Sequence, residues 1–374
     1  IDFTARICGI CPVAYQMSAV HAIEKIFGVA IDKPVHDLRR LLYCGEWIES
    51  HALHIYLLHG PDFYGIESAW ANKDYLPYAK RGLGLKKLGN RILSALGGRA
   101  VHPISVRVGG FYKVPEKKEL APLLQDLETA YEESMNGIKW AAGLKFTNDP
   151  MDIEYVSLTH TDEYPMNEGH VTSSKGIDLT MDKFLDGIQE YQVAHSTALH
   201  SGIKRGTSVS PYLAGPAARL NLNHDKLPQE IKAIMKNCGI ELPLKNTQMG
   251  IIARSIELAY AIHEAMMIIK DYEKPDRPYK DFTPCHGEAV WITEAPRGIL
   301  IHRYEFDEHG HVLNARIIPP TSQNLAMIET EIRHFVHSNT GLDTTAMKKG
   351  IEGIIRSYDP CISCSVHLTT VDSS

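Results

Sequence analysis

Four of the seven cysteines fall in two Cys-x-x-Cys pairs at opposite ends of the 374-residue chain. Cys8 and Cys11 stand in Arg6-Ile7-Cys8-Gly9-Ile10-Cys11-Pro12. Cys361 and Cys364 stand in Asp359-Pro360-Cys361-Ile362-Ser363-Cys364-Ser365-Val366-His367. A turn of this spacing returns both side chains to one side, so each pair can offer two thiolates to one metal. If the pairs share a site, the whole fold must close around it. Soft sulfur ligands suit zinc, copper(I), iron–sulfur and nickel–iron centres, and ligand chemistry alone does not choose among them. A structural zinc site is the commonest use of paired Cys-x-x-Cys motifs. Three features weigh against it. Zinc ribbons cluster their pairs, whereas these are a chain length apart. Each pair has a charged neighbour, Arg6 or Asp359, that a closed zinc site does not require. His367, three residues after Cys364, offers a further ligand. A thioredoxin-like dithiol needs only one pair.

The bulk composition narrows the classes. With 44% hydrophobic and 22% charged residues the chain reads as a soluble globular protein. The net charge of −6 and the lack of a basic stripe imply no nucleic-acid partner. No segment reaches the ~18 uninterrupted apolar residues of a membrane span. The longest apolar helix candidate, 251–269, is broken by Arg254, Glu257, His263 and Glu264. An odd cysteine count argues against a disulfide framework and for a reducing compartment. Cys44, Cys238 and Cys285 lack partner spacing and read as buried small hydrophobes. Most of the nineteen histidines are isolated and read as hydrogen-bonded core or surface residues. No signal peptide is visible. The sequence opens at Ile1 directly before a motif, so a natural N-terminal segment is expected to be missing.

The elements that must hold these cysteines are mostly helical. Pro12 suits a first helical position, which opens a helix to about Phe27 and sets Cys11 at its N-terminus, where the helix dipole favours thiolate. Apolar residues at three-four spacing (Leu38, Leu41, Gly45, Ile48, Ala52, Ile55) predict a long helix over 34–59, stopped by Gly60-Pro61. Further helices are predicted over 75–96, 117–142, 181–203, 226–237, 246–272, 322–338 and 343–357. Short antiparallel strands are predicted at 290–293, 298–305 and 312–318, with a turn at His309-Gly310. Gly, Pro, Asn and Ser make 144–180 and 205–225 read as loops. No repeat or linker stands out. The expected fold class is α-rich α+β: one large unit over 1–374, a helical bundle with small peripheral antiparallel strands.

Taken together, the two terminal motifs resemble the signatures of nickel–iron hydrogenase large subunits, Arg-x-Cys-Gly-x-Cys and Asp-Pro-Cys-x-x-Cys-x-x-His. Other segments agree. Glu294-Ala295-Pro296-Arg297-Gly298, followed by His302, resembles the family's arginine loop. Pro319-Pro320-Thr321-Ser322-Gln323-Asn324 is loosely similar to its Val-Pro-Ser-Thr-Trp-Asn segment. Gly97-Gly98-Arg99 with His102-Pro103 and Gly109-Gly110, and His51-x-x-His54 through Asp62, are similar as well. The resemblance implies reversible cleavage of dihydrogen at a nickel–iron centre with carbon monoxide and cyanide ligands. It implies Cys8 and Cys361 as terminal nickel ligands, and Cys11 and Cys364 as bridges to iron. Pro296, Arg297 and Thr321 would contact the diatomic ligands, and Asp62 and Asp359 would hold Arg297. His367 would bind a structural cation, usually magnesium. Heterolytic cleavage needs a Lewis-acidic metal and a nearby base. Two carboxylates keep Arg297 charged and make it a poor base, so Cys361 ranks above it. His51 and His54 share a helix face, and packing or hydrogen bonding under the site outweighs a metal role.

Two departures from the family pattern, Tyr15 in place of a histidine and the missing tryptophan after Ser322, look more like the cytoplasmic, multi-subunit branch linked to nicotinamide or deazaflavin cofactors. The resemblance then implies an iron–sulfur small subunit as partner, because no second cysteine set is present to hold clusters. Electrons would pass on to a diaphorase-type, NAD(P)-reactive subunit. Residues 368–374 follow His367. In much of the family a protease removes that tail after nickel insertion, so the reading leans toward an unprocessed form over a branch that keeps its tail. Two rivals remain at this point: a non-catalytic relative, the quinone-site subunit of respiratory complex I, which lacks the four cysteines, and a zinc-stabilised scaffold.

Overall fold

The computed structural model describes residues 1–147 and 150–360. Cys361, Cys364 and His367 therefore lie outside the described residues. Ten helices are described: α1 (Pro12–Phe27), α2 (Lys33–Leu53), α3 (Leu76–Gly97), α4 (Lys117–Ala142), α5 (Met181–Asp186), α6 (Pro216–Asn223), α7 (Gln229–Asn237), α8 (Gly250–Asp271), α9 (Pro320–Ser338) and α10 (Thr344–Ser357). Four small sheets flank them. A two-stranded ribbon pairs β1 (Val106–Arg107) with β2 (Gly110–Phe111). In a second sheet β3 (Tyr155–Thr159), β4 (His170–Ser173), β5 (Asp178–Leu179) and β9 (Leu213–Ala214) run in the order β5-β4-β3-β9. A third joins β6 (Ile188–Tyr191), β7 (His200–Arg205) and β8 (Ser208–Ser210). The fourth is the antiparallel meander β10 (Gly287–Ala295), β11 (Gly298–Phe306) and β12 (Val312–Ile318). The α-rich α+β expectation holds.

Local chemistry explains the boundaries. α1 begins with Pro12 at its first position and ends at Gly28, whose φ of 66° places it in the left-handed region favoured at helix C-termini. α4 carries a reciprocal capping box between Glu116 and Glu119. α2 does not stop at Gly60-Pro61. It passes into a π-turn, His54–His59, then a 3-10 turn, Gly60–Tyr64.

The core lies where α2 and α8 cross among α1, α3 and α4. α8 is buried at every position from Gly250 to Ile262, so it faces protein on all sides rather than on one stripe. α2 and α3 touch backbone to backbone. A Cβ on Gly89 would lie 2.5 Å from the Gly45 carbonyl oxygen and 2.7 Å from the Glu49 amide nitrogen.

Three regions depart from the sequence reading. The helix predicted over 181–203 is only one and a half turns long. Gly187 ends α5, and Ile188 and Tyr191 then pair with Ile203 and His200 in a hairpin. β-branched and aromatic side chains there pack better on a sheet than on a helix. The stretches read as loops hold β3, β4, β5, β8 and β9, and α6 as well. Strands of two to five residues are too short for alternation to stand out.

Replacing a helix-interior glycine by alanine ordinarily stabilises by about 1 kcal/mol. At Gly89 both obstructing atoms are backbone, and overpacking of this kind costs about 1–3 kcal/mol. Gly89→Ala is expected to lower the urea midpoint. A raised midpoint would show that α2 and α3 separate freely.

Candidate metal centre

Cys8 and Cys11 sit in the turn that leads into α1. Cys11 is the residue that caps the helix, with φ −121°, and its Sγ lies 3.0 Å from that of Cys8. The backbone amides of Ile10 and Cys11 point at Cys8 Sγ from 3.4 and 3.3 Å, a setting that favours a sulfur carrying negative charge. Both cysteines are buried. Glu46 of α2 fixes this helix start from across the core: it accepts the Val13 amide at 2.6 Å and the Ala14 amide at 3.2 Å. Burial pushes the Glu46 carboxyl well above its ordinary range, and the two amide hydrogen bonds pull against that.

Arg297 occupies the two-residue turn of the β10–β11 hairpin, between the paired residues Ala295 and Gly298. Its guanidinium donates from Nε to the Asp359 carbonyl at 2.7 Å and from Nη2 to Asp359 Oδ1 at 3.1 Å. Both residues are nearly inaccessible. Asp359 itself is in the left-handed region, φ 54°, which few non-glycine residues adopt and aspartate tolerates better than most. The hairpin turn also comes close to β9. A Cβ on Gly298 would lie 2.8 Å from Ala214 Cβ, and one on Gly215 would lie 3.0 Å from the Arg297 carbonyl, so glycine is required on both sides of the approach.

The Asp62 expectation needs correction. Asp62 lies in the 3-10 turn after α2, but its carboxylate accepts from Arg356 Nε at 2.7 Å, at the end of α10, and not from Arg297. Arg356 is within reach because α10 packs against the π-turn that leads into the Asp62 turn. Burial raises the Asp62 carboxyl, opposed by the Arg356 charge. Asp359 alone is the described carboxylate on Arg297. Pro296 lies in the hairpin turn, and Thr321 in the first turn of α9. Three residues on, Asn324 bridges to β9 and the hairpin: it accepts the Ala214 amide at 2.9 Å and donates to the Ala214 and Arg297 carbonyls at 3.1 and 3.5 Å. His51 and His54 are hydrogen-bonded core residues, to Glu257 at 3.0 Å and to the Arg356 carbonyl at 2.8 Å.

The structure adds a group that sequence reasoning passed over. Arg219 of α6 is fully buried and makes a two-pronged bond to Glu257 of α8, both arms at 2.7 Å. It also reaches Glu294 at 2.9 Å and the carbonyls of Ala295 and Pro296 at 2.8 and 3.1 Å, and it stacks over Trp47. The turn that presents Arg297 is thus held by a second arginine beneath it. Burial by itself would raise Glu257, but the Arg219 charge and hydrogen bonds, with His51, hold it down to about 2. For Glu294 burial prevails and carries it up to about 7 against Arg219. The available signal was Glu257 among the apolar residues of the longest apolar helix candidate: a buried charge there must be paired.

Cys8 and Arg297 share one electrostatic neighbour on α2. The buried carboxyl of Glu49, paired with Lys86, is raised by burial and feels both Arg297 and Cys8. One α2 side chain therefore senses the N-terminal cysteine turn and the arginine that grips Asp359.

The fold is that of nickel–iron hydrogenase large subunits. Residues 1–81 and 208–367 match the nickel-dependent hydrogenase family, to which the chain belongs. It is 33% identical over 368 residues to the sulfhydrogenase 1 subunit alpha of Pyrococcus furiosus, covering 97% of this chain and 85% of that protein. To the sulfhydrogenase 2 subunit alpha of the same organism it is 32% identical, covering 98% and 86%. Among solved structures, an NAD+-reducing NiFe hydrogenase in the H2-reduced state superposes with a TM-score of 0.84 at 22% identity, over 98% of this chain and 87% of that one. The protein is the catalytic large subunit of a nickel–iron hydrogenase. The complex I and zinc-scaffold rivals fall away with that assignment.

Leaving Glu257 buried without Arg219 is expected to cost about 3–5 kcal/mol, so Arg219→Met should sharply lower the denaturation midpoint. A loss under about 1 kcal/mol would remove the network from the argument. Glu294 has a raised value in the fold, so its contribution to stability is complete below its ordinary value of 4.5 and is lost as pH rises through about 7. Glu294→Gln should flatten the stability-versus-pH curve across that window; an unchanged curve would refute the assignment.

Proposed function

We propose that Cys8, Cys11, Cys361 and Cys364 together hold the nickel–iron centre, with Cys8 and Cys361 terminal on nickel and Cys11 and Cys364 bridging to iron. The observation that carries this is the bond between Arg297 and Asp359. Asp359 stands two residues before Cys361 in the sequence, and it is gripped by a side chain that shares the electrostatic surroundings of Cys8. The described donors fit such a centre: two buried sulfurs 3.0 Å apart, on a helix start, with amide hydrogens directed at one of them. The centre, when bound, supplies Lewis acidity toward dihydrogen.

The chain's own groups do the rest. The Cys361 thiolate would serve as the base for the proton of dihydrogen, while the bound centre would supply the Lewis acidity for the other half of the cleavage. Arg297, oriented by Asp359, acts as a fixed charge beside the donors, and with Pro296 and Thr321 it surrounds the carbon monoxide and cyanide ligands of the iron. His367 binds a divalent cation, magnesium or a similar ion. Asp62 acts through Arg356 rather than on Arg297, tying α10 to the turn after α2. Residues 1–374 form one catalytic unit.

Electrons leave through an iron–sulfur small subunit. Its docking surface is the apolar patch around the Cys8 turn: Phe3, Ile7, Val101, Ile104 and Tyr112 are exposed, and His102 ties their two loops together through the Ala5 carbonyl at 2.6 Å. The chain is 33% identical to a sulfhydrogenase alpha subunit and shares the fold of an NAD+-reducing hydrogenase. That supports onward transfer to a diaphorase-type, NAD(P)-reactive subunit, in the cytoplasm. No described helix is long and apolar enough to cross a membrane.

Infrared spectroscopy with nickel analysis of the purified complex tests the centre. Metal-bound carbon monoxide and cyanide bands should be present in wild type and absent in Cys8→Ser. Arg297→Lys should keep nickel and the bands but lose on the order of 10²–10³ in turnover, because lysine cannot repeat the two-pronged grip on Asp359. Bands surviving in Cys8→Ser would sink the ligand set, and near-normal turnover in Arg297→Lys would remove the arginine.

A further inference from the structure

Far from the cysteine turn in sequence, three metal-ligating side chains converge on one point. His195 lies in the loop joining β6 to β7, His200 opens β7, and Glu329 stands on α9. Both imidazoles aim Nε2 at the same carboxylate oxygen: His195 at 2.7 Å and His200 at 2.8 Å from Glu329 Oε1. The three ligand atoms lie within 4.8 Å of one another. The rings stand nearly perpendicular, at 84°, so they meet at their edges and do not stack.

The surroundings suit a ligand set. His200 is buried to 2% exposure, and its Nδ1 faces the Ala198 carbonyl at 3.4 Å. Without an ion Nε2 donates to Glu329; with the proton moved to Nδ1, the Ala198 carbonyl would be the second partner that metal-binding histidines ordinarily have, and Nε2 would be free to ligate. Burial works against ionisation of Glu329, yet the hydrogen bonds from both histidines overcome it and hold the carboxyl below its usual range. His195 is 65% exposed, so the cluster opens to solvent on one side.

Two neutral imidazoles and a carboxylate form a borderline donor set. It suits a zinc-type divalent ion and not calcium or magnesium, which take oxygen ligands. Metal–ligand bonds of about 2.0–2.2 Å in tetrahedral geometry set neighbouring ligand atoms about 3.3 Å apart. The two short contacts need to open by about half an ångström, which small rotations of an exposed His195 and a half-exposed Glu329 provide. The fourth position would fall on the solvent side.

We propose that His195, His200 and Glu329 form a second metal site, separate from the cysteine centre, that takes one zinc-type divalent ion with water completing its coordination. The ion ties the β6–β7 loop to α9. The first turn of α9 carries Gln323 and Asn324, which bond the Ile299, Ala214 and Arg297 carbonyls. The site is thus a staple on the helix that supports the arginine hairpin. It takes no part in the reaction and does not depend on how the centre is liganded.

The test uses the purified hydrogenase complex with nickel already in place, stripped of loosely held ions by a chelator. Zinc chloride is added, and zinc per nickel is measured after desalting, with the thermal midpoint read alongside; cobalt(II) serves as a coloured probe. Wild type should take up one further zinc per nickel, with a rise in midpoint and a cobalt(II) spectrum of a nitrogen–oxygen site. His195→Ala, a change at an exposed side chain, should lose the ion and the rise while keeping hydrogenase activity. Glu329→Gln should do the same and covers the case of a generally weakened loop. No uptake by wild type would leave the triad as a plain hydrogen-bonded cluster and overturn the proposal. Equal uptake by wild type and both variants would place the zinc elsewhere and overturn it too.

Discussion

The arginine hairpin depends on one buried cation. Arg219 has no solvent around it, and moving a guanidinium out of water costs several kcal/mol unless its donors are satisfied. Here they are, by two carboxylates and two backbone carbonyls. Those carbonyls belong to Ala295 and Pro296, the residues just before Arg297. The ion pair is not worth much as stability in itself, since buried pairs rarely outdo hydrophobic packing. Its value is conformational. It fixes a hairpin turn at the meeting point of α6, α8 and the β10–β11 pair, and a turn so fixed can present Arg297 in one orientation.

From that turn the remaining constraints run outward in both directions along the chain. Arg297 captures Asp359 by backbone and side chain at once, which stabilises an aspartate with left-handed backbone and fixes where the last motif begins. On the other side, Glu46 from α2 caps the first turn of α1 and so fixes Cys11. α2 is common to both arrangements: Glu46, Glu49 and His51 on this one helix attend to the cysteine turn, to its electrostatic surroundings and to Glu257. That shared role gives a reason for its close glycine contact with α3. A helix that sets positions at two ends of a site cannot slide.

Much of this was legible in the sequence, and what was not has physical causes. Long helices with three-four apolar spacing were readable because each buries a continuous stripe. The start of α1 was readable from Pro12. The β10–β11–β12 meander was readable because its strands run seven to nine residues. The short strands within 144–225 were not, since two to five residues carry too little pattern and their order is set by non-local pairing such as β3 with β9. The cysteine motifs were visible as local spacing. Arg219, Glu257 and Glu294 lie on three different elements, so their union exists only in the fold. The Asp62 error has the same origin: its position beside the site was right, but only the packing of α10 shows that Arg356 is the arginine within reach.

Charge completes the picture. The chain is net acidic, yet several arginines are deep in the core, Arg39, Arg40, Arg219, Arg254 and Arg297 among them. Three of these have acidic partners: Arg39 on Glu24, Arg40 on Glu163 and Glu264, and Arg219 on Glu257 and Glu294. Arg254 is different. Its described hydrogen bond goes to the Ser357 carbonyl, and burial, with repulsion from Arg297, lowers it to about 10 despite the attraction of Asp359. Two buried cations that repel each other are stable only where negative charge gathers. Asp359 supplies one unit. On the reading proposed above, the thiolates of the cysteine pairs would add to the negative charge that Asp359 and Glu257 already place around these arginines, and the arginines would serve as counter-charge to an anionic sulfur-bound centre.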